Sequence, residues 1–331
     1  MARVCVFLMA ALLCMKPDAK TQNFVLQNDR LKLDIDAGGC IKNFTYGNQK
    51  TVEFRADEKH RGPALFLSEK RMVLTDSGGT GPDELSFSGK TDTLDMRLNY
   101  HLEGNAVAAI ITVKNRKSTE IEFPSLSLKL GVNMEMDSFP HWNDVFFPTL
   151  LRCEATHFWG YLMNPKGEIL VISSPDAAAS WHYDYKTGQH RIFTANIDLL
   201  HTLPLPERHP KNLHSLKAGE EKTWTIRFQL CNDLSEVKGI ASRSCEAPMI
   251  DAPLYTLTEG EVFSISLTGK VKSAVMIRPD NTRQNTGIKD NLITYRPDSG
   301  IGKYSLMVTG ENNKDLLINN IYDCIFLGFI V

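Results

Sequence analysis

The stretch KTWTIRFQL, residues 222–230, alternates apolar and polar side chains with a period of two. The apolar side chains that share one face of the extended chain are Trp224, Ile226, Phe228 and Leu230. Successive side chains of a strand point to opposite faces, so this pattern is typical of a strand with one buried face and one polar face. Residues 222–230 therefore predict a half-buried β-strand.

The same alternation recurs through much of the chain. RLKLDIDA at 30–37 and SLSLKLGV at 125–132 both place Leu and Ile or Val on one face, and Gly-containing turn signals such as Glu103-Gly104-Asn105 separate such runs. No stretch of helical periodicity lies between these runs, which favours antiparallel sheets packed face to face. We therefore expect an all-β fold, with a large antiparallel β-sandwich over residues 23–230.

The pattern changes after residue 230. Residues 231–248 predict a helical linker, since Asp233 and Glu236 resemble a capping box and Pro248 would end the helix. Alternation returns over 249–312, as in Phe263, Ile265 and Leu267, and predicts a small immunoglobulin-like β-sandwich. Residues 313–331 end in the apolar IFLGFIV and fit neither unit; a strand covering an edge and aberrant sequence after a truncation both remain open.

The N-terminal residues show the pattern that is typical of an export signal. Arg3 precedes the apolar run VCVFLMAALLCM, and polar residues follow it. The run is too short to span a bilayer, so residues 1–20 predict a signal peptide that is cleaved near Ala19. We expect export to the periplasm or cell surface of a Gram-negative bacterium, with no transmembrane helix.

Composition narrows the range of partners. Charged residues make up 23% of the chain and the formal net charge is -2, so no strong field directs it to nucleic acid. The cysteines beyond the signal, at 40, 153, 231, 245 and 324, show no C-x-x-C spacing and are expected to be mostly buried thiols. Phosphate-binding Gly loops, G-x-S-x-G and H-E-x-x-H do not occur, so we expect no cofactor and no metal.

Residues 139–185 differ from the rest of the chain because they hold three of its four Trp. Sugars bind through stacking of their C–H faces on aromatic rings and through hydrogen bonds from their hydroxyl groups to polar side chains. The candidates for carbohydrate binding are Trp142, Trp159, Trp181, Tyr161, Tyr183, Arg152 and Asn143. Core packing explains Trp159 equally well, whereas Trp142 follows Pro140 in a loop-like segment that favours a binding role.

Catalysis by the same segment is an alternative. Its candidates are Glu154, His157, His141 and Asp144. Glu154 and Asp144 could form the carboxyl pair of a glycosidase, or Glu154 could act as a base with a histidine as acid in an epimerase or lyase. The spacing selects none of these chemistries, and a buried ionic network explains the same residues.

The order of these parts resembles a known family. PHWNDVFFPTLLRCEATHFWGYLMNPKGEILVISSPDAAASWHYDY, residues 140–185, within an exported sandwich of this size, is similar to the galactose-mutarotase-like supersandwich domain. The resemblance implies a β-supersandwich of the kind found N-terminal to (α/α)-toroid catalytic domains in polysaccharide lyases and glycoside hydrolases of Bacteroidetes. We expect no toroid within these 331 residues, and no catalytic residue is carried over.

Three functions stay open. The leading expectation is an exported carbohydrate-binding or scaffolding part of a polysaccharide-degrading enzyme, without a complete active site in this chain. Its partner would be a polysaccharide or oligosaccharide, with uronic acid as one candidate component. The alternatives are a self-sufficient glycosidase, lyase or epimerase built on residues 139–185, and a structural protein of two sandwiches.

Overall fold

The computed structural model describes residues 23–47, 50–54, 61–81, 83–132, 141–186, 191–202, 209–253 and 255–324. The strands in the part before residue 232 are β1 (Phe24–Gln27), β2 (Leu31–Ile35), β3 (Ile41–Tyr46), β4 (Lys50–Glu53), β5 (Ala64–Leu67), β6 (Lys70–Arg71), β7 (Asp76–Gly81), β8 (Glu84–Lys90), β9 (Leu94–Glu103), β10 (Ala106–Asn115), β11 (Ile121–Glu122), β12 (Ser125–Lys129), β13 (Phe147–Cys153), β14 (Phe158–Met163), β15 (Ile169–Ser174), β16 (Ser180–Lys186), β17 (Arg191–His201), β18 (Ser215–Leu216) and β19 (Glu221–Cys231). A short 3₁₀ helix, η1, spans His141–Asp144.

Three antiparallel sheets enclose the main core. Their strand orders are β1-β2-β3-β4, β13-β14-β15-β19-β10-β9-β8-β7 and β16-β17-β12-β5-β6, with a small pair β11-β18. The core takes residues from all three sheets, including Leu33, Ile111 and Leu128, each fully buried. Because the sheets share one core, this part of the chain folds as a single large sandwich.

The apolar–polar alternation of residues 222–230 correctly predicts which face of β19 is buried. In β19, Trp224, Ile226 and Phe228 are at most 3% exposed. They lie opposite Ile111, Ala109 and Val107 of β10 respectively. Burying each of these large apolar side chains contributes ~1.5–3 kcal/mol to the free energy of unfolding.

One α-helix joins the two parts of the chain. Helix α1 spans Leu234–Cys245; the side chain of Asp233 accepts a hydrogen bond from Ser235 N at its start, and Glu246 adopts a left-handed conformation at its end. The helix lies within the segment 231–248 for which the capping box predicted it. Its buried residues Val237, Ile240 and Ala241 form a second core cluster with residues of β14, β15 and β19, on the face of the eight-stranded sheet that turns away from the main core.

A smaller sandwich follows the helix. Its strands are β20 (Met249–Asp251), β21 (Thr256–Thr258), β22 (Phe263–Thr268), β23 (Val271–Ile277), β24 (Arg283–Asn285), β25 (Ile288–Lys289), β26 (Leu292–Tyr295), β27 (Gly302–Gly310) and β28 (Asp315–Cys324). They form two sheets, β20-β22-β26-β25 and β21-β28-β27-β23-β24, around a core of their own. The regular elements of the described residues other than α1 and η1 are strands, so the predicted all-β fold is confirmed.

Part of the segment 313–331, for which the sequence left a strand and aberrant sequence both open, forms a strand of the smaller sandwich. Residues 315–324 form β28. This strand lies between β27, to which it is antiparallel, and β21, to which it is parallel. Leu316 lies opposite Val308 of β27, and Ile318 lies opposite Leu306.

The cysteines whose side chains the structure describes are Cys40, Cys153, Cys231 and Cys245, and all four are buried thiols, as the sequence predicted. In the described ranges, no helix is long and apolar enough to cross a bilayer.

Candidate functional site

The candidate residues named from the sequence lie in three separate places. The first is η1, where Asn143 is half-buried and Asp144 is exposed. Asp144 forms an ion pair with Lys166. The side chains of His141 and Trp142 lie outside the described residues.

The second place is the face of β13 and β14 that turns towards α1. Leu151 and Cys153 point into the main core, so the alternate residues Arg152 and Glu154 point to the opposite face of the sheet. Trp159 is 3% exposed and belongs to the cluster that α1 buries, and Tyr161 packs against that cluster. Trp159 therefore fills a core and offers no open ring face to a sugar, which corrects the expectation of a binding role.

The third place is β16, the edge strand of the five-stranded sheet. Trp181 is half-buried against the main core, and Tyr183 is 37% exposed. Their ring centroids are 5.0 Å apart in an edge-to-face arrangement. His182, between them in sequence, points to the opposite face. Among the side chains that the structure describes, the aromatic residues of the segment are thus divided between faces and do not form one groove.

The carboxyl pair proposed for hydrolysis is also divided. Glu154 is 1% exposed and pairs with Arg152, whose Nη2 lies 2.8 Å from Glu154 Oε1. Asp144 is solvent-exposed on η1. A glycosidase needs two carboxyl groups that both reach one sugar, and a sealed Glu154 does not meet that requirement.

His157 is fully buried, and its Nδ1 lies 3.0 Å from Thr156 Oγ1. Burial, with the positive charges of Lys314 and Arg152, lowers its pKa to about 3. His157 is therefore a neutral imidazole at ordinary pH, without access to substrate.

A different group of polar side chains forms the candidate site. They lie on the face of the five-stranded sheet that turns away from the main core, where β16, β17 and β12 are adjacent. We call them the Asp198 cluster, and its members are Ser127, Lys129, Ser180, His182, Asp184, Asn196 and Asp198. They share this face because Leu128 and Ile197, next to them on the strands, enter the main core.

Asp198 lies at the centre of the cluster and is 1% exposed. Its Oδ1 accepts a hydrogen bond from Ser127 Oγ at 2.6 Å, and its Oδ2 accepts one from Ser180 Oγ at 2.6 Å. Burial alone would raise the pKa of this carboxyl, but hydrogen bonds from His182 and the two serines lower it below its usual value. Asp198 is therefore a fixed negative charge beneath the surface.

His182 lies above Asp198 and is the most exposed member, with 44% of its side chain accessible. Its Nδ1 is 3.0 Å from Asp198 Oδ2, and its Nε2 is 3.1 Å from Asn196 Nδ2. The hydrogen bond to Asp198 raises the pKa of His182 above its ordinary value, against the opposing effect of burial. Asn196 Nδ2 can donate to Nε2 of a neutral His182. A 180° rotation of the Asn196 amide would place Oδ1 there instead, where it could accept from a protonated Nε2, so both protonation states of His182 can be hydrogen-bonded.

Asp184 and Lys129 form the other half of the cluster. Lys129 Nζ is 2.5 Å from Asp184 Oδ2, and the ammonium group lies 4.5 Å from the centroid of the Phe66 ring. Asp184 Oδ1 is 3.9 Å from His182 Nε2. Asp184 retains 19% side-chain exposure, whereas Lys129 retains 4%.

This arrangement presents one partly exposed imidazole and one partly exposed carboxylate, each held by buried partners. Such fixed donors and acceptors suit the recognition of hydroxyl groups, since their geometry is set before a ligand arrives. No group of three or more His, Cys, Asp and Glu side chains within the described ranges is arranged to hold a metal ion.

None of the candidate residues named from the sequence belongs to this site. His182 lies in the segment 139–185, but Asp198 and its partners Ser127 and Asn196 lie outside that segment in sequence. In TANIDLL, residues 194–200, the side chains that face away from the core are Thr194, Asn196 and Asp198. These are short polar residues and not the Lys or Glu that an exposed face usually carries, and this is the local sign of a buried polar face. These residues lie beside β16 because of the strand order of the sheet, and strand order cannot be predicted from the alternation of apolar and polar residues.

Comparison with known proteins supports the fold. No protein-family model matches the chain, and no curated protein matches it by sequence. Among solved structures, a polysaccharide lyase matches with a TM-score of 0.65 at 9% identity, over 90% of this chain and 46% of that one. This chain thus spans about half the length of that lyase.

Two shorter proteins match less well. A putative aldose 1-epimerase from Escherichia coli K12 has a TM-score of 0.42 at 11% identity, over 64% of this chain and all of that one. A galactose mutarotase-like protein from Lactobacillus casei has a TM-score of 0.38 at 11% identity, over 63% of this chain and all of that one. The match to the lyase shows a shared fold, in line with the resemblance drawn from the sequence.

Proposed function

We propose that the chain is an exported carbohydrate-binding or scaffolding part of a polysaccharide-degrading protein, and that the Asp198 cluster is its saccharide-binding surface. The observation that carries the proposal is the pair His182 and Asp184, which reach solvent while Asp198 and Lys129 fix them from below. Sugar hydroxyl groups both donate and accept hydrogen bonds, and this pair offers an acceptor beside a donor. The fold shared with a polysaccharide lyase supports a carbohydrate ligand.

Export is part of the proposal and rests on residues 1–20, which lie outside the described residues. The buried thiols are compatible with it, because a cysteine sealed in a core is protected from oxidants. Fusion of residues 1–22 to a reporter enzyme that is active only in the periplasm tests this part. Reporter activity would support export, and inactive fusion protein retained in the cytoplasm would contradict it.

The binding proposal is tested by affinity electrophoresis against neutral and uronic acid-containing polysaccharides, followed by calorimetry with oligosaccharides of any that retain the protein. His182→Ala and Asp184→Ala should each weaken binding about tenfold or more, since each removes a charged hydrogen-bonding group. His101→Ala is the matched control, because His101 is a half-exposed histidine on β9 in the eight-stranded sheet.

Two outcomes would contradict the proposal. Wild-type protein that no polysaccharide retards would argue for a structural role of the two sandwiches. If His101→Ala abolishes retention and His182→Ala does not, the binding surface lies on the eight-stranded sheet. Trp142→Ala, measured beside them, tests the aromatic contact expected from the sequence.

A further inference from the structure

Four polar side chains form a block on the face of the β13–β14 hairpin that turns away from the main core, where α1 packs on Trp159. Arg152 of β13 lies directly opposite Trp159 of β14. The pairing continues past the strand ends, where Glu154 N donates to His157 O at 2.9 Å. Arg152, Glu154, His157 and Trp159 are therefore two adjacent cross-strand pairs on one face of the sheet, within reach of one another.

Three nitrogen atoms of this block are buried and have no hydrogen-bond partner among the residues that the structure describes. They are Arg152 Nε, His157 Nε2 and Trp159 Nε1. Buried polar atoms almost always have a partner, from the protein or from an ordered water, because leaving one unpaired costs ~1–3 kcal/mol. Three such atoms on neighbouring side chains indicate a shared partner that is not a protein atom.

The hydrogen-bonding chemistry of the block limits what that partner is. Arg152 Nε–H and Trp159 Nε1–H can only donate. A neutral His157 that donates from Nδ1 to Thr156 Oγ1 accepts at Nε2, and the Glu154 carboxylate also accepts. Two donors and two acceptors match one water molecule, which accepts two hydrogen bonds and donates two.

The charges around the block point the same way. The Arg152 guanidinium and the Glu154 carboxylate neutralise each other at 2.8 Å. A bound cation would face Arg152 and also Lys314, whose positive charge acts on His157. A bound anion would face the Glu154 carboxylate. A neutral ligand meets neither repulsion.

We propose that Arg152, Glu154, His157 and Trp159 hold an internal water molecule as a permanent part of the fold. The water satisfies the nitrogen atoms that the protein leaves unpaired, and it links the β13–β14 hairpin into one polar network beneath α1. Arg152, with 27% of its side chain exposed, lies at the edge where the water exchanges with solvent.

Substitution of Trp159 by Phe distinguishes a bonded indole from an unpaired one. Trp224 is the matched control, since it is equally buried and its Nε1 donates to Ala177 O at 3.0 Å. If water accepts from Trp159, then Trp159→Phe should lower the urea midpoint to a similar extent as Trp224→Phe. A Trp159→Phe midpoint equal to or above that of the wild type would overturn the proposal, because removing an unpaired donor relieves a cost.

Two measurements on the wild-type protein do not depend on how the variants fold. In a ¹⁵N-tryptophan sample, the Trp159 indole N–H should show a cross-relaxation peak to water, and its absence would contradict a bound water. A crystal structure should show a peak at hydrogen-bond distance from Trp159 Nε1 that gives no anomalous signal after a bromide soak. An anomalous bromide peak at that position would show that the site binds an anion, which would overturn the proposal.

Discussion

His157 couples the stability of the fold to pH at the scale of a single side chain. Its unfolded imidazole takes up a proton below a pKa of ~6.5, while in the folded state the pKa is about 3. Between those values the unfolded state binds more protons, so the free energy of unfolding falls as the pH is lowered. The stabilisation is fully present above the unfolded pKa and is lost progressively below it.

His157→Gln should remove this part of the pH dependence. One proton contributes at most ~1.4 kcal/mol per pH unit to the slope of the free energy of unfolding. Urea denaturation at pH 4 and pH 7 should therefore give a smaller difference for the variant than for the wild type. His101→Gln, a half-exposed control, should retain the wild-type difference. Equal differences for all three proteins would contradict the prediction.

Asp198 controls the charge of His182 through the hydrogen bond to Nδ1. A raised folded pKa means that the stabilisation from His182 is present below the unfolded pKa and is lost as pH rises through the folded one. Asp198→Asn should lower the pKa of His182, because it removes the largest cause of the upward shift. Asp184→Asn should lower it less, since Asp184 Oδ1 lies at 3.9 Å.

Titration of the His182 ring by NMR from pH 4 to 9 measures both effects. A His182 pKa that is the same in Asp198→Asn as in the wild type would show that Asp198 does not set it. A larger drop in Asp184→Asn than in Asp198→Asn would reverse the assignment of the controlling carboxylate.

The sequence shows that His182 lies in the segment 139–185 but not which groups it contacts. The buried carboxylate below it comes from β17, and one of the two serines that bond to that carboxylate comes from β12. Lys129 shows the same limit. It alternates with Leu128 and Leu130 as a solvent-facing residue would, and yet it is 3% exposed because Asp184 of β16 and Phe66 of β5 contact it.

At the scale of elements, alternation was sufficient to predict strands, and capping residues were sufficient to predict α1. Strand order was not predictable in this way. β12 pairs with β5 on one side and β17 on the other, both distant in sequence, because all three contribute apolar faces to one core. The burial of Trp159 could not be predicted for a similar reason. Its strand is visible in the sequence, but the helix that covers it begins 75 residues further on, at Leu234.

Gly160 is required where β14 passes β13. A Cβ at this position would lie 2.2 Å from Leu150 O and 2.8 Å from Leu151 Cα, which are backbone atoms that cannot rotate away. Gly160→Ala should therefore move the two strands apart and lower the free energy of unfolding by ~1–3 kcal/mol. Gly78→Ala is the control, because a Cβ on Gly78 in the edge strand β7 meets nothing within 4 Å. Equal urea midpoints for the two variants would contradict the close approach.

At the scale of the whole molecule, the two sandwiches meet through α1 and not only through a linker. The helix packs on the eight-stranded sheet and also contacts β20 and β22 of the smaller sandwich. Gly269 shows how close this contact is, since a Cβ there would lie 2.0 Å from Ser242 Oγ of the helix. Ser242 Oγ in turn donates to Ala247 O at 2.8 Å, between α1 and β20, and lies 3.4 Å from Thr268 O of β22 in the smaller sandwich.

Lys314 joins all three parts at one point. Its Nζ donates to Pro175 O after β15 at 2.5 Å and to Cys245 O at the end of α1 at 2.8 Å, while the residue itself precedes β28. Cys245 O is one of the last carbonyl groups of the helix, which have no partner within the helix and favour a cation. With this connection in place, we expect both sandwiches to unfold in one calorimetric transition whose van't Hoff and calorimetric enthalpies agree.

Lys314→Ala should weaken that coupling, because it removes a side chain that bonds to both the large sandwich and the helix end. Scanning calorimetry should then give a calorimetric enthalpy larger than the van't Hoff value, or two resolved transitions. Lys303→Ala, an exposed lysine on β27, should leave the single transition unchanged. If Lys314→Ala also unfolds in one transition with equal enthalpies, the helix packing alone holds the sandwiches together, and Lys314 is not needed for their cooperativity.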